Sequence, residues 1–265
     1  MIIKKPCNSD YYFYIYTNTL NIMARYILLL FVANFIFSCR TIAINHKPQV
    51  LTSQSLQLGA IGEQKRFLLE YDYYHTALPN YQQPIKLQVT NTKFNTASYK
   101  AFTKAKIKQT SNVNIIYSDT LQNKPKYVKL DFLDRIAILN SLNSKENLEV
   151  FKYLKNKNNA HIITGIALAL TPTNMEALEI ADEVFLENFG IKNYVLATYK
   201  DKERLSTIKF TDGIVFAYQT SSFCWKQDEK YKLKIADLVN YGGKCVNKTY
   251  NYSKRAEKEI NYYKF

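Results

Sequence analysis

Two spacings of apolar residues divide the chain. Residues 85–91 alternate, with Ile85, Leu87 and Val89 on one face and Lys86, Gln88 and Thr90 on the other, which predicts a strand. Residues 126–132 alternate in the same way, and residues 66–74 are rich in strand formers. Pro79-Asn80 and Pro84 mark a loop between the first two of these segments along the chain. Residues 113–117 read as a further strand, and the lysine-rich stretch 98–110 fits an exposed strand or a helix equally.

The period then changes. Leu133, Ile136, Ala137, Leu139 and Leu142 predict one helix, and Leu148, Phe151 and Leu154 a second that opens at residues 144–147. Residues 161–170 are the most apolar stretch beyond residue 40 and read as a buried central strand. Thr173 and Glu176 form a capping-box pattern, from which Leu178, Ala181, Phe185 and Phe189 predict a helix running to Gly190. Residues 194–199, 205–210 and 214–220 predict a three-stranded meander with turns at Asp201-Lys202-Glu203 and Asp212-Gly213. Residues 230–238 fit a strand or a short helix, Gly242-Gly243 breaks the chain, and Tyr252, Ala256, Ile260 and Tyr263 predict a last helix. The expected class is α+β, a mostly antiparallel sheet with a few packing helices.

The apolar run at residues 26–37 is of another kind. Its twelve residues would rise about 18 Å as a helix, against a hydrocarbon core about 30 Å thick, so it is too short to span. Arg25 precedes it, Asn34 interrupts it, and Ile36-Phe37-Ser38-Cys39 closes it. That order of a charge, a short apolar stretch, a small residue and cysteine fits an export signal. The last four residues resemble the bacterial lipobox, with Phe37 bulkier than the residue often found there. The resemblance implies cleavage before Cys39 and acylation of its sulfur. The competing reading is a buried apolar helix with an incidental cysteine. Met23 is a natural start for such a signal, so residues 1–22 are expected to be a mis-assigned start or else a long leading region. The expected organisation is a signal region at 1–38, a flexible tether at 39–62, a small β-rich module at 63–124 and an α+β domain at 125–265. No acidic residue stands between Cys39 and Glu63. By resemblance the chain then lacks both the acidic surface-export tag and the retention aspartate of some lipoproteins, which implies the periplasmic face of the outer membrane.

Charge changes this picture little. The chain holds 36 Lys and Arg against 22 Asp and Glu, and without residues 1–38 it keeps 33 against 21. With abundant Lys and Tyr and only 7 glycines, the excess reads as composition bias. The expected partners are the membrane, through the anchor, and an envelope protein or an anionic glycan or lipid, with no nucleic acid. Of four cysteines, Cys7 lies in the signal region and Cys39 takes the lipid. Cys224 and Cys245 are left to pair in an exported compartment, the alternative being two buried free thiols. Neither has a second cysteine or a histidine at zinc-ligand spacing, and no metal or cofactor is expected.

Candidate chemistry is sparse. His46 lies in the tether, His161 opens the buried strand, and His75 follows Asp72-Tyr73-Tyr74, where a base or ligand role competes with an exposed loop. Asp131 and Asp134 stand three apart at a strand–helix junction. They are a possible carboxylate pair for hydrolysis, though Asp134 also suits a helix N-cap. Glu176, Glu179 and Glu183 read as a solvated face, and the Tyr- and Lys-rich residues 244–265 as a surface helix. Two functions stand: an anchored binding or accessory protein without catalysis, and an envelope hydrolase acting on glycan or peptide.

Overall fold

The computed structural model describes residues 41–44, 47–67 and 70–258. The signal region, Cys39, His46, Ile260 and Tyr263 lie outside the described residues. Thr41–Phe265 forms one compact unit.

Twelve strands form one antiparallel sheet in the order β1-β2-β11-β7-β6-β5-β8-β9-β10, with β12 on β11 and the β3–β4 hairpin on β7. These are β1 (Thr41–Ile44), β2 (Lys47–Leu51), β3 (Ile61–Phe67), β4 (Glu70–Ala77), β5 (Ile85–Lys93), β6 (Lys126–Phe132), β7 (Ala160–Ala169), β8 (Glu183–Asn188), β9 (Tyr194–Lys200), β10 (Glu203–Lys209), β11 (Ile214–Gln227) and β12 (Leu233–Asn240). Five helices are described: α1 (Thr96–Lys108), α2 (Arg135–Leu142), α3 (Leu148–Asn156), α4 (Pro172–Glu179) and α5 (Ser253–Lys258). The antiparallel α+β class is therefore what the chain adopts. None of the described helices is long and apolar enough to cross a membrane.

The core lies in two clusters. The larger holds Leu130, Ile166, Leu168, Leu196 and Val215. The smaller lies beneath α1 and joins Phe94, Phe102, Tyr127 and Phe216. The lysine-rich segment left open between strand and helix becomes α1, for two reasons. Asn95 and Ser98 form a reciprocal capping box, and Ser98, Ala101, Phe102 and Ala105 bury one face at helical spacing.

Several elements differ from expectation. The strand-forming stretch 66–74 supplies both arms of a hairpin, paired from Ile61–Ala77 to Phe67–Glu70. Residues 113–117 join no ladder, and Val113 instead plugs the smaller cluster. The expected long helix stops early. Thr171 caps α4, which ends at Glu179, and the chain then enters β8 beside β9. Val184 and Leu186 are buried while their neighbours in β8 are less so, a period of two that cross-strand pairing rewards. Asp212-Gly213 makes no hairpin. A short 3-10 turn (Phe210–Asp212) carries the chain into β11, which pairs with β7 and not with β10. A Cβ at Gly213 would lie 2.6 Å from Leu168 Cδ1, so a side chain would block this close passage.

Within residues 39–62, expected as a tether, β1 and β2 pair with each other and β2 pairs with β11. Across the boundary drawn at residue 124, β5 pairs with β6 and β3 with β7.

Candidate functional site

The strongest convergence of polar groups sits where β6, β7 and β11 run side by side. Asp131 pairs with Gly165, and Gly165 with Gln219, so the three form one row across the sheet. A side chain at the middle position would close the row. A Cβ there would stand 2.3 Å from Asp131 Oδ1, so glycine is what lets the carboxylate pack against the β7 backbone. Four elements besides β6 line a nearby recess: α2 with Arg135 and Ile138, β7 with Thr164, β11 with Gln219, and β12 with Leu238 and Asn240. Together with Asp131 and Phe132 they enclose a recess of about 280 Å³.

Its electrostatics are set by Lys129, two residues before Asp131 on the same face of β6. The Lys129 ammonium lies 2.9 Å from Asp131 Oδ2, and its side chain is only 2% exposed against 19% for Asp131. Burying a lone ammonium costs several kcal/mol, so Asp131 is first of all the counter-ion that lets Lys129 stay inside. The pair leaves the recess close to neutral apart from Arg135, which is exposed and makes no ion pair among the described residues. The Thr164 and Ser221 hydroxyls share a hydrogen bond of 2.9 Å. Gln219 Oε1 is buried and accepts none. Gln49 on β2 lies one residue beyond the Tyr218–Val50 pair, and its fully buried amide also lacks partners. Buried polar atoms without partners are uncommon in folded proteins and mark places where something polar can be received.

The expected carboxylate pair divides. Asp131 lines the recess, whereas Asp134 sits on the exposed start of α2 and accepts a hydrogen bond of 2.9 Å from the Ala137 N–H. That bond satisfies one of the helix's free amide groups, the ordinary work of an N-cap.

His75 is exposed on β4 and lines a separate recess of about 230 Å³ with Leu56, Gln57, Phe210 and Thr211. His161 is nearly buried at the start of β7. Its Nδ1 is 3.1 Å from Ser222 Oγ, and the Tyr241 ring meets it edge-on at 5.0 Å. Burial holds its pKa below the ordinary value, with the charge of Glu63 opposing that shift. Burial raises the Glu63 pKa, but hydrogen bonds donated by Tyr153 and Asn159 and the charge of Lys157 outweigh it, so Glu63 titrates below the usual carboxylate range. These bonds tie β3 to α3 and to the turn before β7.

A third concavity runs along α1. Tyr99 and Tyr117 stack with centroids 4.9 Å apart beneath Lys100, Lys104 and the exposed Ile107, in an open groove of about 630 Å³. Asp119 closes one end, where it accepts hydrogen bonds from Tyr117 and Thr96 and titrates below its usual range.

Sequence reasoning missed Lys129, Arg135, Thr164, Gln219 and Asn240. One signal was present: Gly165 stands alone inside the most apolar strand, a position that commonly marks a close approach of neighbouring groups.

Cys224 on β11 is bonded to Cys245, with their Cα atoms 5.6 Å apart. Compared with known protein families, curated proteins and solved structures, this chain matches none.

Proposed function

We propose that this chain is a lipid-anchored cell-envelope protein, tethered through Cys39 at the periplasmic face of the outer membrane, that acts as a binding or accessory component and not as a catalyst. The observation that carries the reading is the Cys224–Cys245 disulfide. Such bonds persist in oxidising compartments and are rare in the cytosol, which agrees with export through the signal ending at Cys39. The recess beside Asp131 supports a binding role, because residues from five elements line it. The hydrolase reading has weaker support. It needs two carboxylates flanking a substrate bond, and Asp134 is engaged with its own helix.

The test is mass spectrometry of the protein's N-terminus after expression in a Gram-negative host. The expected species begins at an acylated Cys39. An intact peptide spanning residues 37–40 from purified membranes would reject the anchor.

A further inference from the structure

We infer that the outer face of α1 docks on an anionic phospholipid surface, its lysines on the lipid phosphates and its exposed isoleucine at the boundary between headgroups and acyl chains. This rests on the membrane location proposed above and adds a second, non-covalent contact to it.

Helical spacing builds the face. Ser98, Ala101, Phe102 and Ala105 turn inward, which leaves Lys100, Thr103, Lys104, Ile107 and Lys108 exposed on the other side. The helix contains no acidic residue. Lys100, Lys104 and Lys108 therefore stand four apart in a line of like charge, a spacing that disfavours a helix. None of the three makes an ion pair among the described residues. On α3, by contrast, Lys152 pairs with Glu149 at 2.8 Å and Lys155 with Glu257 at 2.6 Å. The one carboxylate lining the groove, Asp119, is engaged by Tyr117, Thr96 and Lys124.

Bare apolar groups stand among these charges. Ile107, between Lys104 and Lys108, is 82% exposed, and Ile116 is 80% exposed on the segment that returns along α1. That segment is held to the helix by Lys106 Nζ, which donates to Asn114 Oδ1 at 3.2 Å, and by the Tyr99 hydroxyl, which donates to the Ile115 carbonyl at 3.4 Å. Lysines, tyrosines and an exposed aliphatic side chain on one helix face are what a membrane interface selects. The path of the chain favours a bilayer over a soluble acidic partner. Two residues separate Cys39 from β1, so at most about 7 Å of chain joins an anchor there to the sheet. Ile42 and Ile44 of β1 then pack in the same core cluster as Phe102 and Ala105 of α1.

The test uses residues 40–265, which keep every residue of both core clusters and both disulfide cysteines but omit Cys39. Sedimentation with vesicles should show binding to phosphatidylcholine containing phosphatidylglycerol, none to phosphatidylcholine alone, and a decline as salt rises. A lysine at an anionic surface is worth about fivefold in affinity, so Lys100→Gln, Lys104→Gln and Lys108→Gln together should weaken binding by about 100-fold. Ile107→Ser should weaken it by about 10-fold and leave its salt dependence unchanged. Lys192→Gln, Lys200→Gln and Lys202→Gln together remove the same charge from exposed positions around the β8–β9 and β9–β10 turns and should bind as wild type. Trp225 fluorescence checks that each variant is folded. Equal loss in the two triple variants, binding indifferent to phosphatidylglycerol, or a preference for polyglutamate over vesicles would overturn the inference. An acylated Cys39 in the full chain without vesicle binding by residues 40–265 would remove this face and leave the anchor. The opposite pair of results would remove the anchor and leave the face.

Discussion

Replacing Cys245 by serine isolates what the disulfide contributes. Cys245 is the better position to change because it is partly exposed, whereas Cys224 is fully buried and a hydroxyl there would add a desolvation cost of its own. The freed Cys224 thiol can stay in its pocket as a small apolar group. The two cysteines are 21 residues apart, and a loop of that length is worth about 3 kcal/mol of chain entropy. Part of the effect also lies in the native state. The segment after β12 turns through left-handed conformations at Gly242, Asn247 and Lys248. Besides the disulfide, it is held to β11 by the Tyr241 N–H bond to the Thr220 carbonyl at 3.1 Å and by the paired backbone bonds between Trp225 and Tyr250, at 2.7 and 2.8 Å. The sole tryptophan thus sits beside the perturbation, buried and edge-on to Phe151 at 5.4 Å. Urea unfolding followed by its fluorescence should show a midpoint lower by roughly 1–1.5 M, taking a urea slope of about 2–3 kcal/mol/M. Wild-type protein in reductant should reproduce the variant, and the variant should not respond to reductant. A midpoint within about 0.3 M of wild type, where that slope leaves less than about 1 kcal/mol for the bond, would refute the loop-entropy argument.

Two further outcomes are expected. Asp134→Ala should cost about 1 kcal/mol by removing the α2 cap, lowering the thermal midpoint by about 2–4 °C; an unchanged midpoint would contradict the cap assignment. Stability should also fall in acid through His161. Its folded pKa is held below the ordinary 6.5 by burial, so the unfolded chain takes up the proton first. The contribution is then complete above about pH 6.5 and is lost as pH falls through the folded value. Urea midpoints measured across that window should show the decline, and His161→Gln should flatten it.

Much of the fold was legible where one spacing repeated without competition. Residues 126–132 form β6 as read, and the apolar run at 161–170 is the central strand β7 within one residue. The errors came where two periods coexist. Leu178, Ala181 and Phe185 fit a helix, yet Val184 and Leu186 fit a strand, and only pairing with β9 selects the second. Likewise Asp212-Gly213 carries a strong hairpin signal, but the buried partners of β11 lie on β7 and β12. The recess was illegible for a related reason. Its side chains come from positions 131 to 240, and no local spacing links them.

The chain on its own determined the strand and helix periods, the antiparallel α+β class and the two cysteines able to pair beyond residue 40, because these depend on neighbours along the chain and on a count. Tertiary structure alone decided that Lys129 is buried against Asp131, that Asp134 is engaged as a cap, and that the Asp131 carboxylate packs against Gly165. Those facts depend on cross-strand register, and register is set by which faces can be buried together, a property of the assembled sheet that no single segment carries.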